Sequence, residues 1–209
     1  MKAPAFSLDS VQEFTEINES VCRPAMDWTA TNAPMKYWGT NLSVHPNPIT
    51  ERVRKFCSVD GPGVLLVQGP NGTGKTETLC ASMTERFNLG LDPGLYLSCF
   101  YQLCPQFRSA KSFSSSATEW DLYRTYYTTP YLILDEPGKG DDKVLEKAVV
   151  RNILAARYDN GVKTAICMNW NARELVEWLD NDMASRFREK CVVVSLDGED
   201  WRKKNGQKD

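Results

Sequence analysis

A glycine-rich segment in the first half of the chain has the residue types and spacing of a phosphate-binding loop. Residues 69–76 read Gly-Pro-Asn-Gly-Thr-Gly-Lys-Thr and match the pattern G-x-x-x-x-G-K-[ST] at every required position. Glycine lets successive backbone N–H groups turn toward one anion, and the helix that follows adds its partial positive charge. Lys75 is predicted to reach the β- and γ-phosphates of ATP, and the Thr76 hydroxyl to bind Mg²⁺. The predicted ATP contacts are Gly69, Pro70, Asn71, Gly72, Thr73, Gly74, Lys75, Thr76 and Glu77.

Two acids follow a short apolar run at residues 131–134. Ligands of open α/β sheets bind at the carboxyl ends of the strands, so Asp135 and Glu136 are predicted to face the bound phosphates. Asp135 would hold Mg²⁺, directly or through water, and Glu136 would act as the general base that orients and polarises the attacking water. An acidic pair at a strand end is also typical of a solvated turn, but the phosphate loop favours the catalytic interpretation.

Two further polar residues are candidates for the same site. Asn169 follows an apolar run at residues 164–168, where an amide would bridge the γ-phosphate and the attacking water. Asn171 is the better candidate for the cap of the next helix, which leaves Asn169 for catalysis. Arg186 lies in a Ser-Arg-Phe segment. Its guanidinium either is solvated or enters the nucleotide site of a neighbouring subunit in a head-to-tail assembly.

Strands and helices that alternate along the chain would bring these residues together. Such alternation predicts an α/β fold, a parallel sheet with helices on both faces. The predicted strands are residues 64–67, 95–99, 131–135, 164–168 and 191–195. The predicted helices are residues 75–87, 143–158, 175–178 and 183–188.

Three segments of different character follow from composition along the chain. Residues 1–49 are rich in proline and carry one predicted short helix, at residues 9–18. They form either an arm packed on the domain or a segment that docks a partner. Residues 50–203 form the predicted ATPase domain, and residues 204–209 form a polar tail.

The overall composition limits the class of protein. Apolar residues make up 42% and charged residues 25%, as in ordinary globular proteins, and the net charge is -2. Any contact with nucleic acid therefore needs a local patch. The sequence lacks an apolar run long enough for a membrane span and the apolar stretch of a secretory signal. Seven scattered cysteines and one histidine show no zinc pattern, so we expect reduced thiols in a cytoplasmic protein.

The motifs taken together resemble the AAA+ ATPases, and more narrowly the DnaC and DnaI family of helicase loaders, with the transposition ATPase IstB as a relative. The resemblance rests on GPNGTGKT, YLILDEPG, ILAARY, the strand ending at Asn169, MASRFRE and DGEDWR, in that order, and covers roughly residues 50–203. It implies a three-layer αβα domain around a five-stranded parallel sheet in the order 5-1-4-3-2. Asn169 would then lie between the phosphate loop and Asp135.

The resemblance also implies roles at a subunit interface. Arg186 would be an arginine finger that acts on the nucleotide of the next subunit. Arg157 matches an arginine at the end of the family's central helix. It would either face the subunit interface or form a salt bridge with Asp159.

Loaders of this type carry extra helices after the second strand that touch single-stranded DNA. The matching segment is residues 99–129, in which aromatic and basic residues alternate. That mixture suits base stacking and phosphate contact, although the same aromatics would also serve as the core of a helical insert. The candidate contacts to single-stranded DNA are Phe100, Tyr101, Arg108 and Lys111.

The sequence departs from the family's pattern at three places. The fourth strand ends Cys167-Met168-Asn169, where the family has Thr-Ser-Asn, and Pro137 follows the acidic pair. Residues 1–49 replace the family's N-terminal helicase-binding domain.

The function implied by the resemblance is ATP-dependent loading or remodelling of a hexameric replicative helicase on single-stranded DNA. Three alternatives stay open: an IstB-like transposition ATPase that binds duplex DNA, a superfamily 3-type helicase, and a nucleotide-responsive scaffold without useful hydrolysis. A GTPase is disfavoured because the sequence lacks the guanine signature N-K-x-D.

Overall fold

The computed structural model describes residues 25–43, 48–112 and 117–197 of the chain. The predicted helix at residues 9–18, the tail at residues 204–209 and the last residues of the DGEDWR motif lie outside these ranges.

Five parallel strands form the centre of the molecule. They are β1 (Gly63–Gln68), β2 (Leu95–Ser98), β3 (Tyr131–Asp135), β4 (Lys163–Met168) and β5 (Cys191–Ser195). Their spatial order is β2-β3-β4-β1-β5, and every neighbouring pair is parallel. The predicted α/β class and the predicted order 5-1-4-3-2 are confirmed.

Helices cover both faces of this sheet. The helices are α1 (Trp28–Thr31), α2 (Pro48–Cys57), α3 (Lys75–Asn88), α4 (Cys104–Ala110), α5 (Glu119–Thr128), α6 (Lys143–Asp159), α7 (Ala172–Leu179) and α8 (Asn181–Lys190). A 3-10 turn spans Met35–Tyr37, and a π-helical turn spans Cys99–Leu103. None of the described helices is long and apolar enough to cross a membrane.

Strand β3 shows why the strand segments of the sequence are apolar at every position. Tyr131 and Ile133 point to a cluster that includes residues of α2 and α3, whereas Leu132 and Leu134 point to a second cluster that includes α6. Side chains of a strand alternate between the two faces, so a strand covered on both sides is apolar throughout. Asp135, the last residue of β3, lies on the α3 face, which is the face of the phosphate loop.

The segment between β2 and β3 belongs partly to the core. Phe107 of α4 and Tyr126 of α5 are buried in the α6-side cluster, and Phe107 packs edge-on against the ring of Tyr123 with centroids 4.8 Å apart. These aromatics therefore hold α4 and α5 against the sheet, as the interpretation of the segment as a helical insert requires.

Part of the proline-rich N-terminal segment also packs on the sheet layer. Ala33 and Leu42 are buried in the α3-side cluster, and the Thr84 hydroxyl donates to the Thr40 carbonyl at 2.6 Å. Residues 25–43 thus contribute to the same core as α2 and α3. The boundary at residue 50 stays a prediction.

Arg157 is an internal residue, with 1% of its surface exposed. Its guanidinium donates to the carbonyls of Tyr126 and Thr129 at 2.6 and 2.9 Å, to the Thr164 hydroxyl at 2.8 Å and to the Lys163 carbonyl. Burial lowers the pKa of Arg157 to about 9. Both predicted roles of Arg157, at a subunit interface and in a salt bridge with Asp159, are wrong. The reason is that the Arg157 side chain points into the domain, where it meets the amino end of β4 and the carboxyl end of α5.

Candidate nucleotide site

The phosphate loop joins the carboxyl end of β1 to the start of α3. Gly69, Gly72 and Gly74 have φ angles of 148°, 76° and 86°, a region that favours glycine. A Cβ atom on Gly69 would also lie 2.2 Å from the Leu196 carbonyl oxygen. No side chain caps the N-terminus of α3 in the described structure. Its first N–H groups are therefore oriented to receive an anion, as the sequence predicts.

Lys75 lies across this loop. Its Nζ donates to the carbonyl oxygens of Gly69 and Pro70 at 2.8 and 2.6 Å, and the Thr73 hydroxyl donates to the same Pro70 carbonyl at 3.0 Å. The ammonium group therefore lies within the curve of the loop, where it adds a full positive charge to the backbone N–H groups.

Asp135 and Thr76 lie side by side at the opening of the loop. The Thr76 hydroxyl is 3.3 and 3.4 Å from the two carboxylate oxygens of Asp135. Hydroxyl and carboxylate oxygens are the kind of ligand that Mg²⁺ takes, together with phosphate oxygens and water. The donor set therefore fits a magnesium ion held between Thr76, Asp135 and a nucleotide.

Three neutral donors surround the Asp135 carboxylate. Besides Thr76, the Tyr96 hydroxyl donates to Oδ2 and the Cys167 thiol donates to Oδ1. Burial and the nearby Asp135 charge raise the pKa of both Tyr96 and Cys167, so both groups keep their protons. Neither residue was among the predicted site residues, although Cys167 was noted as a departure at the end of β4.

Glu136 directly follows the metal-side acid, with its backbone in the left-handed region at a φ of 53°. Its N–H donates to the Cys167 carbonyl at 2.9 Å, which ties the turn to β4. A residue with a side chain costs about 1–3 kcal/mol in such a conformation, and strain of this kind is concentrated at functional sites. The turn directs the chain away from the sheet immediately after Asp135.

A buried acid that the sequence analysis did not identify holds the loop after Glu136. Both oxygens of Glu146 accept backbone N–H groups, from Gly138 at 2.8 Å and from Gly140 at 3.0 Å. Trp170 packs so closely that a Cβ atom on Gly138 would lie 2.0 Å from its ring. Glu146 shares an apolar helical stripe with Val149, Val150 and Ile153, and an acid at such a position was the available clue.

Asn169 connects the end of β4 to the phosphate loop. Its Nδ2 donates to the Asn71 Oδ1 at 2.7 Å, and its own Oδ1 is buried without a protein partner among the described residues. Buried polar atoms are nearly always satisfied, so an orphaned acceptor beside a phosphate loop is a place for a water molecule. Asn71 and Asn169 are thus brought together as the predicted strand order requires.

Comparison with known proteins gives matches in structure. No protein-family model and no curated protein sequence matches the chain. The crystal structure of the DnaC helicase loader matches with a TM-score of 0.63 and 20% identity, over 78% of this chain and 100% of that chain. The structure of DnaI matches with a TM-score of 0.61 and 19% identity, over 78% and 94% of the two chains.

A third match is the replication initiator DnaA bound to AMPPCP and single-stranded DNA. Its TM-score is 0.63 at 18% identity, over 80% of this chain and 52% of the DnaA chain. The chain therefore spans about half the length of that protein. It has the fold of the DnaC helicase loader and of DnaI.

Within this fold, Arg186 lies far from its own phosphate loop. It borders a small cavity with Pro62 and Gly63, at the amino end of β1, whereas the loop follows the carboxyl end. The six residues of β1 separate the two ends by roughly 20 Å. Arg186 therefore lies too far from its own phosphate loop to contact a nucleotide bound there.

The four candidate DNA contacts fall into two groups. Phe100 and Tyr101 are 46% and 74% exposed, and their rings meet edge to face at 4.4 Å. Arg108 and Lys111 are half exposed and form ion pairs, Arg108 with Asp141 at 2.7 Å and Lys111 with Glu119 at 3.9 Å. Exposed pairs of this kind contribute only about 0–1 kcal/mol, so both cations remain available to phosphate.

Proposed function

We propose that this chain is an ATPase of DNA replication that loads or remodels a replicative helicase on single-stranded DNA. The observation that supports it most is the contact between Thr76 and Asp135 at the opening of a glycine-rich phosphate loop, within an AAA+ fold. The proteins of similar structure include a helicase loader and an initiator bound to AMPPCP and single-stranded DNA.

The nucleotide would bind between the N-terminus of α3 and the carboxyl ends of β3 and β4. Lys75 and the loop amides would neutralise the phosphates, and Thr76 and Asp135 would hold Mg²⁺, which supplies charge neutralisation on the phosphate oxygens. Glu136 would accept the proton of the attacking water, and Asn169 would position that water. In this division of roles, each of these five side chains has one task.

Association of subunits would bring the last catalytic group, Arg186, to the nucleotide site. Arg186 of one subunit would contact the transferring phosphoryl group in the next, so the subunits would associate head to tail and turnover would rise with assembly. The exposed pair Phe100 and Tyr101 would stack on bases, with Arg108 and Lys111 on the backbone phosphates.

A first experiment tests the nucleotide site. Titration of a fluorescent ATP analogue with Mg²⁺ should give saturable binding to the wild type, and Lys75→Ala should remove it. Glu136→Gln should bind normally without hydrolysis. Tight binding by Lys75→Ala would refute the phosphate assignment.

A second experiment tests the partner and the DNA. The chain should capture a hexameric helicase from extracts of its native host and, with ATP, transfer that helicase onto circular single-stranded DNA. Salt-dependent preference for duplex DNA would instead favour the IstB-like reading, and strand displacement by the chain alone would favour a helicase. Unchanged activity in cells for Glu136→Gln would favour a scaffold.

A further inference from the structure

Two buried side chains hold the Asp135 carboxylate from opposite sides. Tyr96 comes from β2 and Cys167 from β4, the two strands that flank β3 in the sheet. The Tyr96 hydroxyl donates to Oδ2 and the Cys167 thiol to Oδ1, while Thr76 lies 3.3 and 3.4 Å from the two oxygens. Cys167 is the residue of β4 that is in register with Asp135.

The polar atoms of both side chains are explained by this contact. Tyr96 is 3% exposed and Cys167 is fully buried, and both belong to the apolar cluster between the sheet and α3. A phenylalanine would fill the site of Tyr96 without placing a hydroxyl in an apolar environment, which is costly unless that hydroxyl is bonded. Both side chains donate to Asp135, and the Cys167 sulfur also has a hydrogen bond with Thr76, the other predicted metal ligand.

We propose that Tyr96 and Cys167 are positioning residues for the metal: they fix the rotation of the Asp135 carboxylate so that its remaining lone pairs face Thr76. This inference rests on the proposed function. Each carboxylate oxygen has about two acceptor sites. The two inner donors occupy one on each oxygen and stop the group from turning into the apolar cluster. Partners of this kind around a metal ligand typically account for about 10–100-fold in metal affinity.

The test measures binding, so it does not depend on hydrolysis. The dissociation constant of a fluorescent ATP analogue is measured with Mg²⁺ and again with EDTA, and the constant in EDTA divided by the constant with Mg²⁺ reports the contribution of the metal. Tyr96→Phe and Cys167→Ala should each lower this ratio by about 10-fold or more, with the constant in EDTA within about 2-fold of wild type.

Two further variants serve as controls. Cys167→Ser keeps a donor and should retain a ratio near wild type. Cys80→Ala removes another buried thiol from the same apolar cluster, one without a described hydrogen bond to Asp135. It should lose stability through its cavity but keep the wild-type ratio, which separates positioning from packing.

Three outcomes decide the question. A lowered ratio in Tyr96→Phe and Cys167→Ala, with Cys167→Ser near wild type, supports the inference. An unchanged ratio overturns the inference, even where binding weakens equally with Mg²⁺ and with EDTA. That result would not contradict the assignment of the nucleotide site. If the wild type binds the ATP analogue with the same dissociation constant in Mg²⁺ and in EDTA, the proposed function itself is overturned.

Discussion

Arg186 donates to the Asp159 carboxylate at 3.1 Å, and its guanidinium lies over the Tyr158 ring, 5.3 Å from the centroid. Asp159 is the last residue of α6, so the finger candidate is held at the end of the central helix. The ion pair is partly exposed and is therefore weak. A neighbouring subunit's phosphate would compete for the guanidinium at little cost.

Arg186→Ala should bind nucleotide like the wild type but turn over about 10³-fold more slowly when assembled, because a guanidinium on the transferring phosphoryl group contributes at least that much where measured. Steady-state hydrolysis at several protein concentrations measures it. A mixture of Arg186→Ala with Lys75→Ala should regain activity, since each subunit supplies what the other lacks. Arg173→Ala, which removes an exposed arginine paired with Glu177, is the matched control. Equal turnover for Arg186→Ala and wild type would remove the finger role.

Glu136→Gly should stabilise the fold while ending hydrolysis. At a φ of 53° a Cβ atom costs about 1–2 kcal/mol, so Glu136→Gly should unfold at higher denaturant than Glu136→Ala by about that free energy. Both variants lack the carboxylate and should bind the ATP analogue without turnover. Urea titration of the pair isolates the backbone effect, and an alanine variant as stable as the glycine variant would contradict it.

Glu146→Ala should destabilise the protein by about 1–3 kcal/mol, because it leaves the N–H groups of Gly138 and Gly140 without their acceptor. Lys147→Ala, an exposed change on the same helix, should cost far less. Denaturant unfolding measures both. A loss for Glu146→Ala no larger than for Lys147→Ala would refute the role of Glu146 in holding the loop.

The same residue predicts a pH dependence. Burial raises the pKa of Glu146 above its ordinary value of 4.5, so the native state holds this proton longer than the unfolded chain. Stability from this group is therefore greatest below the unfolded pKa and is lost as the pH rises through the folded one. The difference in unfolding free energy between wild type and Glu146→Ala should narrow as the pH rises above 4.5. A difference in unfolding free energy that widens as the pH rises would contradict the raised pKa of Glu146.

Replacing both Phe100 and Tyr101 with alanine should weaken binding to single-stranded DNA by about 10-fold or more, since stacking contributes about 1–3 kcal/mol per base. Both rings are largely exposed, so the fold should be unaffected. Anisotropy with a labelled oligonucleotide measures the change, and Leu89→Ala, an exposed apolar residue at the end of α3, is the control. Affinity equal to wild type would place the DNA surface elsewhere.

The sequence predicted the sheet well because its rules are local. A strand buried on both faces is apolar at every position, and β3 and β5 were predicted with their observed bounds. Strand β2 ends one residue earlier than predicted, because Cys99 begins the π-helical turn. The glycines of residues 69–76 likewise favour the backbone conformation of the loop, because glycine readily adopts the positive φ angles found at Gly69, Gly72 and Gly74.

The errors concern side chains whose surroundings come from distant parts of the chain. Arg157 sits at a helix end, where arginine is usually solvated, and only the meeting of α5, α6 and β4 makes it internal. The division of the insert's aromatics into buried Phe107 and exposed Tyr101 depends on the same packing. The contacts of Tyr96 and Cys167 with Asp135 follow from strand order and register, which single residues do not reveal.

The buried Arg157 has one more consequence. Its guanidinium donates to carbonyls at the end of α5 and at the start of β4, so it ties α5 to the sheet from inside the domain. Helix α4 is also held by a buried side chain, Phe107, and its exposed Arg108 adds only weak ion pairs with Asp141 and Asp142. We therefore expect α5 to keep its place on the sheet whether or not a nucleotide is bound.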